Sequence, residues 1–211
     1  MTILEADKRI YEKALHVGGM AAREAGSYIL EQAGSVREQD VTDKGKNDLV
    51  TEVDHEAQHR IIQRIRSEFP KHWYVAEEGS GNRPEFLNRD GFVWIIDPLD
   101  GTTNFTRDVP PYAVSIALQH DGELVLGIVF DVTRNEMFTA ATGLGAFMNG
   151  EPCSVSRTDH MNEGLITTGF PYRVFDHIEE YLTALKHFMR ETRGVRSISP
   201  SRPAKGVPRP R

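Results

Sequence analysis

At Pro70 the hydrophobic pattern of this chain changes period, and that change limits the folds open to it. Before Pro70 the apolar residues recur every three or four positions. Ile10, Ala14, Val17, Ala21, Ala25 and Ile29 predict a helix over 5–33, with Gly34 just past its end. A second run predicts a helix over about 50–69, stopped by Pro70. Beyond it the apolar residues come in short runs split by turn signals such as Asp121-Gly122 and Asn149-Gly150. Strands are expected at 73–76, 92–96, 113–119, 123–130 and 136–141, with further short ones at 165–168 and 193–196. The polar stretch 34–47 reads as a loop or a short hairpin. Residues 176–190, with Ile178, Leu182, Leu185 and Met189 in register, predict a third helix. Two helices, meandering strands, then strand and helix make an α+β order, and no internal repeat breaks it.

With 39% hydrophobic residues, the 211-residue chain can bury a core. Its single cysteine, Cys153, rules out a disulfide framework and any cysteine-only metal site. No run of 18 apolar residues exists and the N-terminus is charged from Glu5, so neither a membrane span nor a secretory signal is visible. A cytoplasmic location is the expectation. The net charge of −6 conceals an asymmetry. Residues 190–211 hold seven Lys/Arg and one acid, leaving 18 basic against 30 acidic residues in the first 189. An acidic body repels nucleic acid and suits bound cations. The last fifteen residues hold four prolines and three apolar side chains, which predicts a disordered basic tail over 197–211 after a folded 1–196.

Carboxylates gather where the expected strands end. Glu77 and Glu78 follow one strand; Asp97 follows another, with Asp100 three residues on. A strand that releases an acid at its carboxyl end aims it into a crevice. Pro98 is expected to fix a turn that lets Asp97 and Asp100 face one point. Several carboxylates and a main-chain carbonyl form the hard oxygen site that Mg²⁺ prefers. If Gly101-Thr102-Thr103 opens a helix, its amides can meet an anion. Acids for a metal beside amides for a phosphate suggest metal-assisted phosphoryl chemistry; the alternative is a solvated acidic turn.

A wheel of the second helix, at about 100° per residue, puts Asp54 in the middle of its apolar arc. Such an acid is either a hydrogen-bonded core group or one that holds a catalytic group or a metal's water in place. His55-Glu56-Ala57-Gln58-His59 matches the zinc-protease pattern H-E-x-x-H, but both histidines fall off the apolar arc, whereas a catalytic zinc helix must present both to a cleft. They are expected to be solvated. Cys153, His120 and His160 show no partner pattern, and Trp73, Trp94 and the ten Phe read most simply as core.

The run Asp97-Pro98-Leu99-Asp100-Gly101-Thr102-Thr103-Asn104-Phe105 resembles the signature of the inositol monophosphatase family, among the Mg²⁺-dependent, lithium-sensitive phosphatases. Asp48-Leu49-Val50-Thr51-Glu52-Val53-Asp54, Glu77-Glu78, Ala113-Val114-Ser115-Ile116 and Gly145-Ala146-Phe147-Met148-Asn149-Gly150 extend the likeness over roughly 5–196. The resemblance implies a layered α/β/α sugar-phosphatase fold and hydrolysis of inositol monophosphate, or a similar polyol phosphate, with two or three Mg²⁺ per site. Glu77, Asp97 and the Leu99 carbonyl would bind the first ion; Asp97 and Asp100 would bind the second. Thr102, oriented by Asp54, and Glu77 would activate the attacking water. Asp100 and the Gly101 and Thr102 amides would meet the substrate, with Lys44 nearby in a mobile loop.

The likeness stops near residue 196. Relatives continue with a Gly-Ser-Ala-Ala segment that contacts inositol and a Trp-Asp-x-Ala-Ala-Gly motif whose Asp completes the second metal site; neither string occurs here. The expectation is a truncated or frameshifted chain, with an incomplete C-terminal half and weak or absent activity on its own. A homodimer is possible by resemblance, and no membrane partner is expected. Some bacterial relatives are linked to transcription complexes, so a binding role is the alternative. The tail lacks interleaved aromatics, which argues against nucleic-acid recognition.

Overall fold

A computed structural model describes residues 5–33, 41–45, 48–78, 84–171 and 174–197. The element order is α1 (Glu5–Gln32), β1 (Val41–Gly45), β2 (Asp48–Thr51), α2 (Glu52–Glu68), β3 (Trp73–Ala76), β4 (Phe92–Asp100), α3 (Thr102–Thr106), β5 (Ala113–His120), β6 (Glu123–Asp131), β7 (Glu136–Ala141), β8 (Gly145–Met148), β9 (Glu151–Cys153), β10 (Leu165–Thr168), α4 (Ile178–Glu191) and β11 (Gly194–Ser197). Both long helices form where the apolar repeat places them. Part of the polar stretch is indeed a hairpin, with Val41 paired to Thr51, while 34–40, 46 and 47 fall outside the described residues. The disordered tail predicted over 197–211 starts one residue too early, because Ser197 pairs with Thr168 at the end of β11; residues from 198 onward also fall outside the described residues.

Seven strands form one sheet in the order β3-β4-β5-β6-β7-β8-β9. Only β3 and β4 run parallel in it; every other neighbouring pair is antiparallel. Strands β8 and β9 are additions to the expected set, joined by the turn at Asn149-Gly150, where both residues have positive φ.

Helices α1 and α2 pack against each other and on the sheet, burying Trp94, Ile116, Leu118 and Ile128. The closeness of α1 to the sheet depends on two glycines. A Cβ at Gly18 would lie 2.6 Å from Ile128 Cδ1, and one at Gly26 would lie 2.5 Å from Phe130 Cε1. Trp94 is fully buried, as expected of a core residue, but Trp73 is not. It sits 38% exposed on the edge strand β3, tilted against Phe86 and covered by the Arg89 guanidinium at 4.3 Å. Phe170 and Phe175 are likewise exposed rather than core.

They belong to a second unit, in which β10 and β11 pair in parallel (Leu165 with Gly194) around the crossover helix α4. Tyr181 Oη ties α4 to the end of β10 by donating to Gly169 O at 3.1 Å. No residue of α4 is buried, and Leu182 and Met189 face outward. Among the described residues no helix is long and apolar enough to cross a membrane.

Candidate functional site

The acids converge because β3 and β4 run side by side in the same direction. Ala76 pairs with Ile96, and Glu77 N donates to Ile96 O at 3.2 Å, so Glu77 and Asp97 emerge together from the carboxyl ends of neighbouring strands. Asp100 reaches the same edge by a device the sequence reading mistook. Pro98 does not turn the chain; β4 continues to Asp100. Its pairing with β5 slips between Asp97 (opposite Ser115) and Asp100 (opposite Ala113), a β-bulge of one extra residue. Side chains three apart on a regular strand point to opposite faces, and the extra residue restores Asp97 and Asp100 to one side. Pro98 has no N–H to donate to the ladder and is tolerated at such a bulge. Asp97 Oδ1 accepts the Leu99 amide at 3.2 Å, which fixes its carboxyl over the bulge.

Gly101 then turns the chain into α3 with φ +93, a left-handed conformation that glycine takes without strain. A Cβ there would also lie 3.2 Å from Pro111 O. Thr102, the first residue of α3, places its hydroxyl 3.0 Å from the Leu99 carbonyl and 3.4 Å from Asp54 Oδ2. Asp54 is 2% exposed, as its place on the apolar arc of α2 required. His55 and His59 are exposed, as expected. His59 pairs with Gln63 on its own helix, whereas His55 Nε2 lies 4.0 Å from Glu78 Oε2.

Burial, and then the charges of Glu77, Asp100 and Asp54, push the Asp97 carboxyl up to about 8 from its ordinary 3.8. The donors here are carboxylates and a carbonyl, all hard oxygen, and their mutual repulsion is what a divalent cation relieves. They are neighbours rather than a finished cage. Among the described residues, no three His, Cys, Asp or Glu side chains are already set to hold an ion. Lys44 falls in β1, and its side chain lies outside the described part of the structure.

Sequence reasoning missed Gln58. It is 8% exposed and bonds the Glu78 backbone twice, through Nε2 to Glu78 O at 3.0 Å and from Glu78 N to Oε1 at 2.9 Å. The signal was available: Gln58 falls at about 140° on the same wheel, inside the apolar arc. His120 also has partners, with Nδ1 3.0 Å from Tyr11 Oη and its ring stacked 4.0 Å from Phe92.

The model of the inositol monophosphatase family matches residues 11–202. A relative from Pseudomonas aeruginosa, called Nus factor SuhB, is 38% identical over 188 residues, covering 86% of this chain and 68% of its own. The extragenic suppressor protein SuhB of Bartonella henselae has a crystal structure that superposes with a TM-score of 0.77 at 33% identity, covering 89% of this chain and 70% of the other. The inositol monophosphatase of an Anabaena species superposes with a TM-score of 0.71 at 30% identity, over 90% and 67%. The chain spans about two thirds of the length of these proteins; for the SuhB of Vibrio cholerae the share is 63%. Sequence and fold agree, and the chain belongs to the inositol monophosphatase family.

Proposed function

We propose that this chain carries the catalytic carboxylates of a Mg²⁺-dependent phosphomonoesterase that hydrolyses inositol monophosphate or a similar polyol phosphate. The observation that carries the reading is the gathering of Glu77, Asp100 and Asp54 around Asp97, close enough that burial and their charges hold its carboxyl far above its ordinary range. Glu77, Asp97, Asp100 and the Leu99 carbonyl would hold two or three Mg²⁺. When bound, the ions neutralise the phosphate, acidify the attacking water and stabilise the departing alkoxide. Glu77 takes the water's proton. Thr102 donates its hydroxyl hydrogen bond to Asp54, leaving its oxygen to accept from that water and orient it. The Gly101 and Thr102 amides would steady the phosphate, and Lys44 would add a positive charge for it. Water adds to phosphorus as the bond to the polyol oxygen breaks, the departing alkoxide takes a proton from a solvent water, Glu77 returns its own to solvent, and no phosphoenzyme forms. A cytoplasmic site of action suits a soluble phosphate ester.

The sequence supplies two side-chain acids for the second ion and no Trp-Asp-x-Ala-Ala-Gly motif to add a third. Turnover by these 211 residues alone should therefore fall well below that of a full-length family member. The test is phosphate release from inositol monophosphate with and without Mg²⁺. Release that disappears in Asp97→Asn supports the reading, and release that persists in that variant rejects it.

The names of the relatives favour one other reading. Several, including that of Escherichia coli at 36% identity, are called Nus factors, which supports a binding role in a transcription complex. A salt-dependent RNA shift lost on deleting 197–211, without phosphate release, would favour that role.

A further inference from the structure

We propose that Gln58 is a positioning residue that sets the Glu77-Glu78 segment for cation binding; the inference rests on the phosphatase reading above. The parallel ladder between β3 and β4 ends at the Glu77 amide, bound to Ile96 O at 3.2 Å. The next peptide, at Glu78, is met by the side-chain amide of Gln58, which accepts from Glu78 N at 2.9 Å and donates to Glu78 O at 3.0 Å. A primary amide can do both at once, as the next residue of a strand would. The clamp is buried, with Gln58 8% and Glu78 2% exposed, so water is poorly placed to substitute for either bond. Glu77 is thus held between a strand on one side and a helix on the other.

Gln58 also shares its face of α2 with a second group of the site. Asp54 and Gln58 are one helical turn apart and project from the same side. Asp54 reaches Thr102 Oγ1 at 3.4 Å while Gln58 grips Glu78. One rigid face of α2 therefore fixes two parts of the site that come from different strands, the Thr102 hydroxyl after β4 and the acids after β3. Groups behind metal ligands typically change ion affinity by about 10–100-fold when removed.

The experiment measures Mn²⁺ affinity by electron paramagnetic resonance and amide hydrogen exchange over 73–78, on the full chain. Gln58→Leu keeps the volume and removes both bonds. It should weaken Mn²⁺ binding about 10-fold or more and speed exchange at 77–78, with Gln63→Leu, on the exposed side of the same helix, unchanged in both. A folded Gln58→Leu protein with the wild-type Mn²⁺ affinity overturns the proposal. Should that variant fail to fold, Gln58→Glu, which still accepts from Glu78 N, serves instead: weakened Mn²⁺ binding supports the proposal and unaltered binding with unaltered exchange overturns it. If the wild-type chain binds no Mn²⁺ or Mg²⁺, the phosphatase reading fails first. Exchange at 77–78 then still decides whether Gln58 holds the segment.

Discussion

Glu77 and Asp97 share a hydrogen bond at the ends of the parallel strands β3 and β4, where Ala76 and Ile96 are the last register pair. Two carboxyls in that relationship can bond only if one keeps its proton, and Asp97 keeps it up to a pH of about 8. In the unfolded chain the same group ionises near 3.8. Between those values the folded state binds the extra proton, so the stability it contributes is lost as the pH rises toward 8. Metal-free protein should show a urea midpoint that falls between about pH 5 and pH 8 and levels off above that. Asp97→Asn should flatten that slope. Mg²⁺ should reverse it, because a cation favours the ionised carboxylate. A slope that is the same in wild type and Asp97→Asn would exclude Asp97 as its source.

Thr102 stands between a carboxylate and a carbonyl, and its one proton can go to only one of them. If its part is to orient water, the hydroxyl and not the shape of the side chain matters. Thr102→Val should lower phosphate release on the order of 10²-fold, and Thr102→Ser should keep most of it. Equal losses in the two variants would mean that packing at the start of α3 is what the position supplies.

Two glycines of α1, two helical turns apart, should respond to alanine in opposite senses. At Gly19 an added methyl would have nothing within 4 Å, so Gly19→Ala should stabilise by up to about 1 kcal/mol through helix propensity. At Gly26 the same methyl would meet the buried Phe130 ring at 2.5 and 2.8 Å. An aromatic ring cannot bend aside as a chain end can, and overpacking of this kind costs about 1–3 kcal/mol. Denaturation midpoints that rise for Gly19→Ala and fall for Gly26→Ala would bear out the close seat of α1 on β6.

These contrasts mark what the sequence makes legible. The apolar repeat locates α1 and α2, and with them the burial of Asp54, because a long helix has enough turns for a stripe to stand out. The strands that carry the acids are readable for a similar reason: each is an apolar run that stops at a charge. The bulge after Asp97 is not readable, since Pro98 signals a break in the ladder without saying whether the chain turns or continues. Strand β8 opens on Gly145, and β9 is three residues long and contains Pro152, so neither offers an apolar run of strand length. They are fixed by tertiary bonds such as Met137 N to Asn149 Oδ1 at 2.8 Å. Trp73 reads as core by residue type, yet β3 is an edge strand, and the strand order is not written in local sequence.

The pole of the sheet opposite the acids holds a histidine whose titration should oppose that of Asp97. His72 is stacked between Phe69 and Phe92, each 4.6 Å away, and its Nδ1 accepts the Trp94 indole N–H at 3.1 Å. Burial, with a smaller contribution from His120, lowers its pKa to about 4 from 6.5. Below 6.5 the unfolded chain takes up a proton that the folded chain refuses, so this stability is present at neutral pH and lost as the pH falls toward 4. His72→Gln keeps an acceptor for the Trp94 indole but does not titrate. At about pH 7 the variant should be the less stable, by the loss of two ring stacks, and acidification to about pH 4.5 should bring the two denaturation midpoints together. Parallel curves would mean that His72 does not become charged on unfolding in this range, and the stacked, neutral imidazole would lose its part in acid sensitivity.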